Sequence, residues 1–276
     1  MSKQMRMLMA VSATIVALLL GFAAPATWAD DDEDDEEVPF DEAEIFFELN
    51  NTDGDLGIHA LIDGEGWKKL EIEDPRERKQ LEVNVKSRLR QQGLTEFFFE
   101  SAEPTFDELP PETFFSRFKE GTWEVEGETL EGEELESEVE LTHLMPAPPE
   151  PTVNGEPKAE VCDEDDPDFD APEVSGPVTI AWPAVTISHP DLGDPQGSTD
   201  IVIHNYELVL ETDVEVAPDE EIEVVMSIIL PPGVTSMTIP DEFLALSDEW
   251  KYEILVREES FNQTATESCF LLEEEE

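Results

Sequence analysis

FELNNTDGDLGIHALIDGEGW, residues 47–67, sets carboxylates and glycines between apolar residues that alternate along the chain. It can be read as a calcium loop or as tight turns within a sheet. Asn51, Asp53 and Asp55 alternate as the first, third and fifth ligands of an EF-hand loop do. The pattern then fails: Leu56 stands where that loop needs its glycine, Gly57 comes one place late, and Ile62 replaces the closing glutamate. An EF-hand is excluded. Asp53-Gly54 and Asp63-Gly64 instead predict two tight turns joining three strands, because Asp-Gly readily takes the positive φ of a hairpin. Turns account for the glycines and leave carboxylates over, so Asn51, Asp53 and Asp55 stay in view as ligands of a looser calcium site.

Working outward, the same alternation persists. Ile45, Phe47 and Leu49 share one face, as do Ile58, Ala60 and Ile62, and period two means strands. Leu70 with Ile72, then Leu81 with Val83 and Val85, then LTEFFFES, TWEVEG and ESEVELTHL continue the series. PPETFFSRF predicts a short helix, with Pro111 in its first turn and Phe114, Phe115 and Phe118 as its apolar stripe. The basic stretch RERKQLEVNVKSRLR alternates too and lies among acids, so it reads as a strand with acidic neighbours and not as a nucleic-acid patch. A first β-rich domain is expected over 38–145. PAPPEPTVNGEPKAEV and the acidic CDEDDPDFDAPEV form a linker over 146–173, extended by its prolines, and strands resume over 174–273. The fold class is all-β, with two β-sandwich-like domains.

The ends and the charge bound what such a protein meets. Lys3 and Arg6 precede an apolar run that closes on Ala-Thr-Trp-Ala at 26–29, which predicts a signal peptide over 1–29 cleaved near Ala29. An uncleaved anchor is the alternative. The eight acids of 30–37 and the acidic 274–276 have nothing to bury and read as solvated tails. The expected location is secreted or periplasmic, with no membrane contact beyond the signal segment. Seventy acidic residues against fifteen basic ones give a net charge of −55, which repels nucleic acid and anionic lipid and attracts cations. Such acidity serves either divalent-ion binding or solubility in a salty medium. Cys162 and Cys269 are the two cysteines, and in an oxidising compartment an even count predicts a disulfide, worth about 4–5 kcal/mol in the loop-entropy account. Two unpaired thiols are the other reading.

In the second half VTIAW, HNYELVLE, TSMTIP and LSDEWKYEILVREESFNQTATES carry a likeness. Over about 174–273 they resemble the fibronectin type III fold. In that family a Trp closes the second strand, matched by Trp182, and a Tyr stands in the third, matched by Tyr206. A Leu six residues before a Tyr, with a Val four after it, is matched by Leu246, Tyr252 and Val256. Asn262 falls where the family often turns on an Asn. Two departures stand out: the long stretch SHPDLGDPQGS between Trp182 and Tyr206, and Ser247 and Asp248 where the family has proline and glycine. The resemblance implies that these residues face a shared core and that the domain is a binding or spacer module. The first half resembles exported proteins without a named activity, and nothing is carried over from them.

The chemistry-bearing residues are few in kind. DEDDPDFD, residues 163–170, offers Asp163, Asp165 and Asp166 as a second set of cation ligands beside the expected disulfide. The histidines at 59, 143, 189 and 204 are scattered without zinc-type spacing. There is no Gly-x-Ser-x-Gly and no phosphate-cradling loop. No catalytic residue is assigned, and an enzyme is not expected. Asn50-Asn51-Thr52 and Asn262-Gln263-Thr264 match the glycosylation sequon. The reading is an exported, non-catalytic binding or structural module that contacts protein or glycan through loop 187–199 and the tips at 52–55 and 63–66. It requires no cofactor and admits calcium. The alternatives are a carboxylate-based hydrolase, for which seventy acids supply pairs anywhere, and a salt-adapted spacer without a ligand.

Overall fold

A computed structural model describes residues 38–164, 166–217 and 220–273. The signal segment, the acidic run 30–37 and the tail 274–276 lie outside the described residues.

Strand β1 (Glu42–Asn50) turns back into β2 (Asp55–Asp74) within residues 47–67. The turn forms as expected at its first Asp-Gly: Gly54 takes φ +70° and donates to the Asn50 carbonyl at 2.9 Å. Asn50 Oδ1 accepts from the Thr52 and Asp53 amides, so the side chain before the turn fixes it. The second Asp-Gly does not turn. β2 continues as one strand through Asp63-Gly64, twenty residues in all, because each of its halves finds partners. Up to Asp63 it pairs with β1 and with β4 (Leu94–Glu100), which it meets once more at Trp67; from Trp67 onward it pairs with β5 (Gly121–Thr129) and from Lys69 with β3 (Arg78–Asn84). Gly64 lets the strand bend under the Phe40 ring, which an added Cβ would meet at 3.1 Å. A strand that changes partners at an irregularity is a corner, and here glycines serve as the corner and not as a hairpin.

β6 (Glu134–Leu141) completes the first half. Helix α2 (Pro111–Arg117) falls where the Phe stripe predicts it and buries Phe114 and Phe115. The basic stretch is a strand over β3, but its end forms helix α1 (Ser87–Gln92), which buries nothing. The buried side chains Ile45, Phe47, Leu49, Ile62, Trp67, Leu70, Ile72, Trp123 and Val125 make one core.

In the second half β11 (Ile203–Ala217), β12 (Glu220–Leu230), β14 (Glu249–Glu258) and β15 (Gln263–Leu272) form the sheet order β12-β11-β14-β15. A four-stranded sheet faces it, ordered β13 (Ser236–Thr238), β10 (Thr179–Ala181), β7 (Thr152–Val153), β8 (Glu156–Pro157). Between them lies a second core of Val153, Ile180, Trp182, Tyr206, Leu208, Tyr252, Ile254, Val256 and Phe270. Trp182, Tyr206, Tyr252 and Val256 are buried there. Leu246 is not: it is 45% exposed, and Leu244, at the end of the short helix α3 (Asp241–Leu244), fills the core two residues earlier. The helical turn after Pro240 rotates Leu244 inward, which sequence spacing measured back from Tyr252 does not register.

The two halves share one sheet. β15 lies parallel to β1, with Glu48, Leu49 and Asn50 opposite Gln263, Thr264 and Ala265. The segment 146–173, read as a linker, supplies β7, β8 and β9 (Glu173–Val174), and its first part runs along β15. Thr264 and Thr266 hydroxyls donate to the Pro146 and Pro149 carbonyls at 2.8 and 2.9 Å, and Ser268 donates to Ala159 at 3.3 Å. Prolines cannot donate to a ladder, so the strand meets their carbonyls with a row of hydroxyls.

Candidate functional site

Sheet register places the acids. Across β11, β14 and β15, Glu211 faces Lys251 and Lys251 faces Cys269; two residues along, Val209 faces Glu253 and Glu253 faces Glu267. Side chains two apart share a face, so Glu211, Glu253, Glu267 and Lys251 project together. Cys162 is bonded to Cys269, with Cα atoms 5.8 Å apart, and this pins the loop 159–164 over that face. The result is a groove of about 810 Å³ whose walls include Asp53, Glu160, Asp163, Glu164, Glu211, Glu249, Glu253 and Glu267. Lys251 is the one base among the described residues that line it.

Two of the cation ligands expected from sequence, Asp53 of the first turn and Asp163 of the acidic loop, line this groove although they lie far apart in the chain. Asn51, Asp55 and Asp166 do not line it. Asn51 Oδ1 lies 3.3 Å from His189 Nε2, and the Asp166 carboxylate caps its own turn by accepting from the Asp168 amide. Asp55 opens β2 beside the groove. Asp165 is outside the described residues. Glu211, Glu253 and Glu267 carry no local signature; alternating acids on a strand look like a solvated face until the disulfide loop covers them.

Crowding and burial act on these acids in one direction. Burial, then the neighbouring Glu48, Glu267, Glu207 and Glu211, push Glu253 up to about 8. Burial, with Glu103, Asp53, Glu267 and Glu48 nearby, pushes Asp55 up to about 6. Glu267 is raised by burial and by Asp53, while the Asn50 amide donating at 2.7 Å pulls it back.

Of the loops expected to make contacts, 187–199 is fastened at its base. His189 Nδ1 accepts from the Asp191 and Leu192 amides, which leaves Nε2 to donate to Asn51, and burial holds the ring below its ordinary pKa. The tip at 52–55 borders the groove, and the expected tip at 63–66 is internal strand. His143 packs its ring on Phe115 and Phe47 with Nε2 2.9 Å from the Phe118 carbonyl. The second sequon is closed to glycosylation in the folded chain, because Asn262 is 0% exposed. Among the described residues, no helix is long and apolar enough to cross a membrane.

Fold and site together define an all-β sandwich protein with an acidic, disulfide-covered groove. No family model and no curated protein matches the chain. Among solved structures it is similar to part of a 1.5-MDa bacterial ice-binding adhesin involved in host cell surface retention, at 10% identity and TM-score 0.23, covering 86% of this chain and 66% of that one. It is also similar to a tetra-tandem repeat from the extending region of a large adhesion protein, at 11% identity and TM-score 0.24, covering 84% and 50%. A third is trypsin-activated alpha-2-macroglobulin from Escherichia coli, at 10% identity and TM-score 0.21, covering 85% and 16%. The chain thus spans less than two thirds of the length of these structures, and overlaps this loose carry no argument about what it binds.

Proposed function

We propose that the protein is an exported, non-catalytic binding or structural module that uses its acidic groove to hold calcium and, through the groove and its rim, to contact a protein or glycan partner. The observation that carries this reading is the crowding of three half-buried carboxylates, Glu211, Glu253 and Glu267, on one sheet face beneath the disulfide-held loop. A surface that serves solubility has no reason to desolvate its acids, since exposed ones suffice and buried ones cost free energy. Glu253, held up to about 8 beside Glu267 and Glu211, is a cost that a bound cation would offset. Oxygen-only ligands from a turn, a loop and strands suit calcium, which takes six to eight oxygens in flexible geometry.

The test is the thermal midpoint of the chain from Asp30 onward in chelator, in calcium, and in sodium chloride of matched ionic strength. A calcium-specific rise that saturates, and that E253Q and E267Q reduce, is expected. A rise that follows ionic strength alone would reduce the groove to a screened, salt-adapted surface.

A second reading has one observation in its favour: Glu253 and Glu267 stand directly opposite each other on neighbouring strands, one of them held up to about 8. A carboxylate-based hydrolase needs such a pair, one protonated and one ionised. Turnover of a glycoside panel by the wild type that E253Q abolishes would establish it over the binding module.

A further inference from the structure

The sheet face that carries the groove continues across β15 onto β1 and β2, where a different set of side chains converges. Glu48 of β1 stands opposite Gly57 of β2, and His59 lies two residues further along on the same face. Glu103 reaches them from the segment that follows β4. His59 Nε2 is 2.9 Å from Glu103 Oε1, and Nδ1 is 3.7 Å from Glu48 Oε2. The imidazole is 4% exposed and lies against the rings of Phe46 and Phe98, with centroids 5.3 and 6.2 Å away. One ligand atom from each of the three residues lies within 4.8 Å of the other two.

The backbone makes room for this meeting. A Cβ on Gly57 would stand 2.2 Å from Glu103 Oε1, so the missing side chain is the space that the carboxylate occupies. Glu48 is held in turn: the Gln263 amide donates to its Oε2, Arg257 Nε donates to Gln263 Oε1 at 2.9 Å, and the Arg257 guanidinium lies 4.7 Å over the Phe46 ring. Ligands oriented by a second layer of hydrogen bonds are a recurrent property of metal sites.

We propose that Glu48, His59 and Glu103 form a binding site for a divalent transition ion of the zinc type, separate from the calcium groove. A buried imidazole flanked by two carboxylates suits zinc, which takes nitrogen and oxygen ligands at about 2.0–2.2 Å, and suits calcium poorly, since calcium asks for oxygens alone. A tetrahedral ion needs ligand atoms about 3.3–3.5 Å apart; one atom from each residue lies within 4.8 Å of the others, and binding draws Glu48 and Glu103, now beside different ring nitrogens, toward one of them. Charge points the same way. Glu48 and Glu103 put two negative charges on a face that Asp55 also shares, and a divalent ion balances both.

The experiment is titration of the chelator-stripped chain from Asp30 onward with zinc chloride in excess calcium, read by calorimetry and repeated with cobalt(II) for its ligand-field spectrum. One zinc per chain that calcium does not displace is expected, weakened at least about tenfold by E103Q and by G57A and far less by E253Q. E103Q and G57A alter an accessible carboxylate and the space beneath it, so they test the site without emptying the buried His59 position; circular dichroism checks their fold. No saturable zinc binding by the folded wild type, or binding of undiminished strength in folded E103Q, would overturn the proposal. The calcium-dependent gain in thermal midpoint is a separate readout, and E103Q is expected to keep it, so failure of one reading does not imply failure of the other.

Discussion

Glu253 shows how one residue couples the site to stability. Its folded pKa of about 8 lies above the ordinary 4.5, so between those values the folded chain keeps a proton that the unfolded chain has released. Stability then falls as pH rises through that window and levels off above it. Asp55, raised from 3.8 to about 6, adds a fall of the same sign at lower pH. Glu253→Gln removes the charge that burial opposes. It is expected to leave the thermal midpoint unchanged at pH 4, to raise stability by about 1–2 kcal/mol at pH 8, and to flatten the decline between. Melts across that range read this directly; a wild type whose midpoint is flat from pH 5 to 8 would contradict the raised pKa of this half-buried carboxylate.

At the scale of elements, the disulfide joins an irregular acidic loop to the last strand, and the groove exists because of it. The chain between Cys162 and Cys269 includes β9 through β14 and most of β15, so the link closes a long loop whose removal is expected to cost about 2–5 kcal/mol. Replacing both cysteines by serine is expected to lower the unfolding free energy obtained from denaturant melts by that amount and to free residues 159–164, so that amide exchange there becomes fast while β14 and β15 stay protected. The calcium-specific stabilisation should weaken in the same variant, because Glu160, Asp163 and Glu164 then leave the wall opposite Glu253. Retained protection of 159–164 would mean that the hydroxyl-to-carbonyl contacts along β15 hold the loop by themselves.

At the scale of the molecule, the parallel pairing of β1 with β15 decides whether the halves can stand apart. Asn262 is the pin: its Oδ1 accepts from the Phe47 amide at 2.8 Å, and its Nδ2 donates to the Thr142 and Leu144 carbonyls, each at 3.0 Å. Arg257 adds an ion pair to Glu44 at 3.1 Å. Cutting the chain leaves β1 and β15 with open edges and buried polar groups without partners. Residues 38–145 and 146–273 made separately are expected to self-associate or to unfold at much lower denaturant than the whole chain, and to recombine on mixing, as size exclusion and melts would show. Two fragments that are each monomeric, with undiminished stability, would make the junction incidental.

The all-β class, the first turn at Asp53-Gly54, the α2 helix and the burial of Trp182, Tyr206, Tyr252 and Val256 were legible in the chain alone, because period-two alternation, turn chemistry and aromatic spacing act over a few residues. Tertiary structure decided the rest. Asp63-Gly64 looked like Asp53-Gly54, yet it became a corner because both halves of β2 found partners, which no local property encodes. Leu246 lost its place to Leu244 through a helical turn too short for a periodic signal. The site was the least legible part. Asp53 and Asp163 were visible as acids, but Glu253 and Glu267 came to line a groove only when strand register and a disulfide brought a loop over them. His59 had no zinc-type spacing in the chain, and its two carboxylates come from a neighbouring strand and a distant loop, admitted by a glycine. Long-range pairing sets which acids are desolvated together, and desolvation is what distinguishes a few carboxylates from the many that water keeps ordinary.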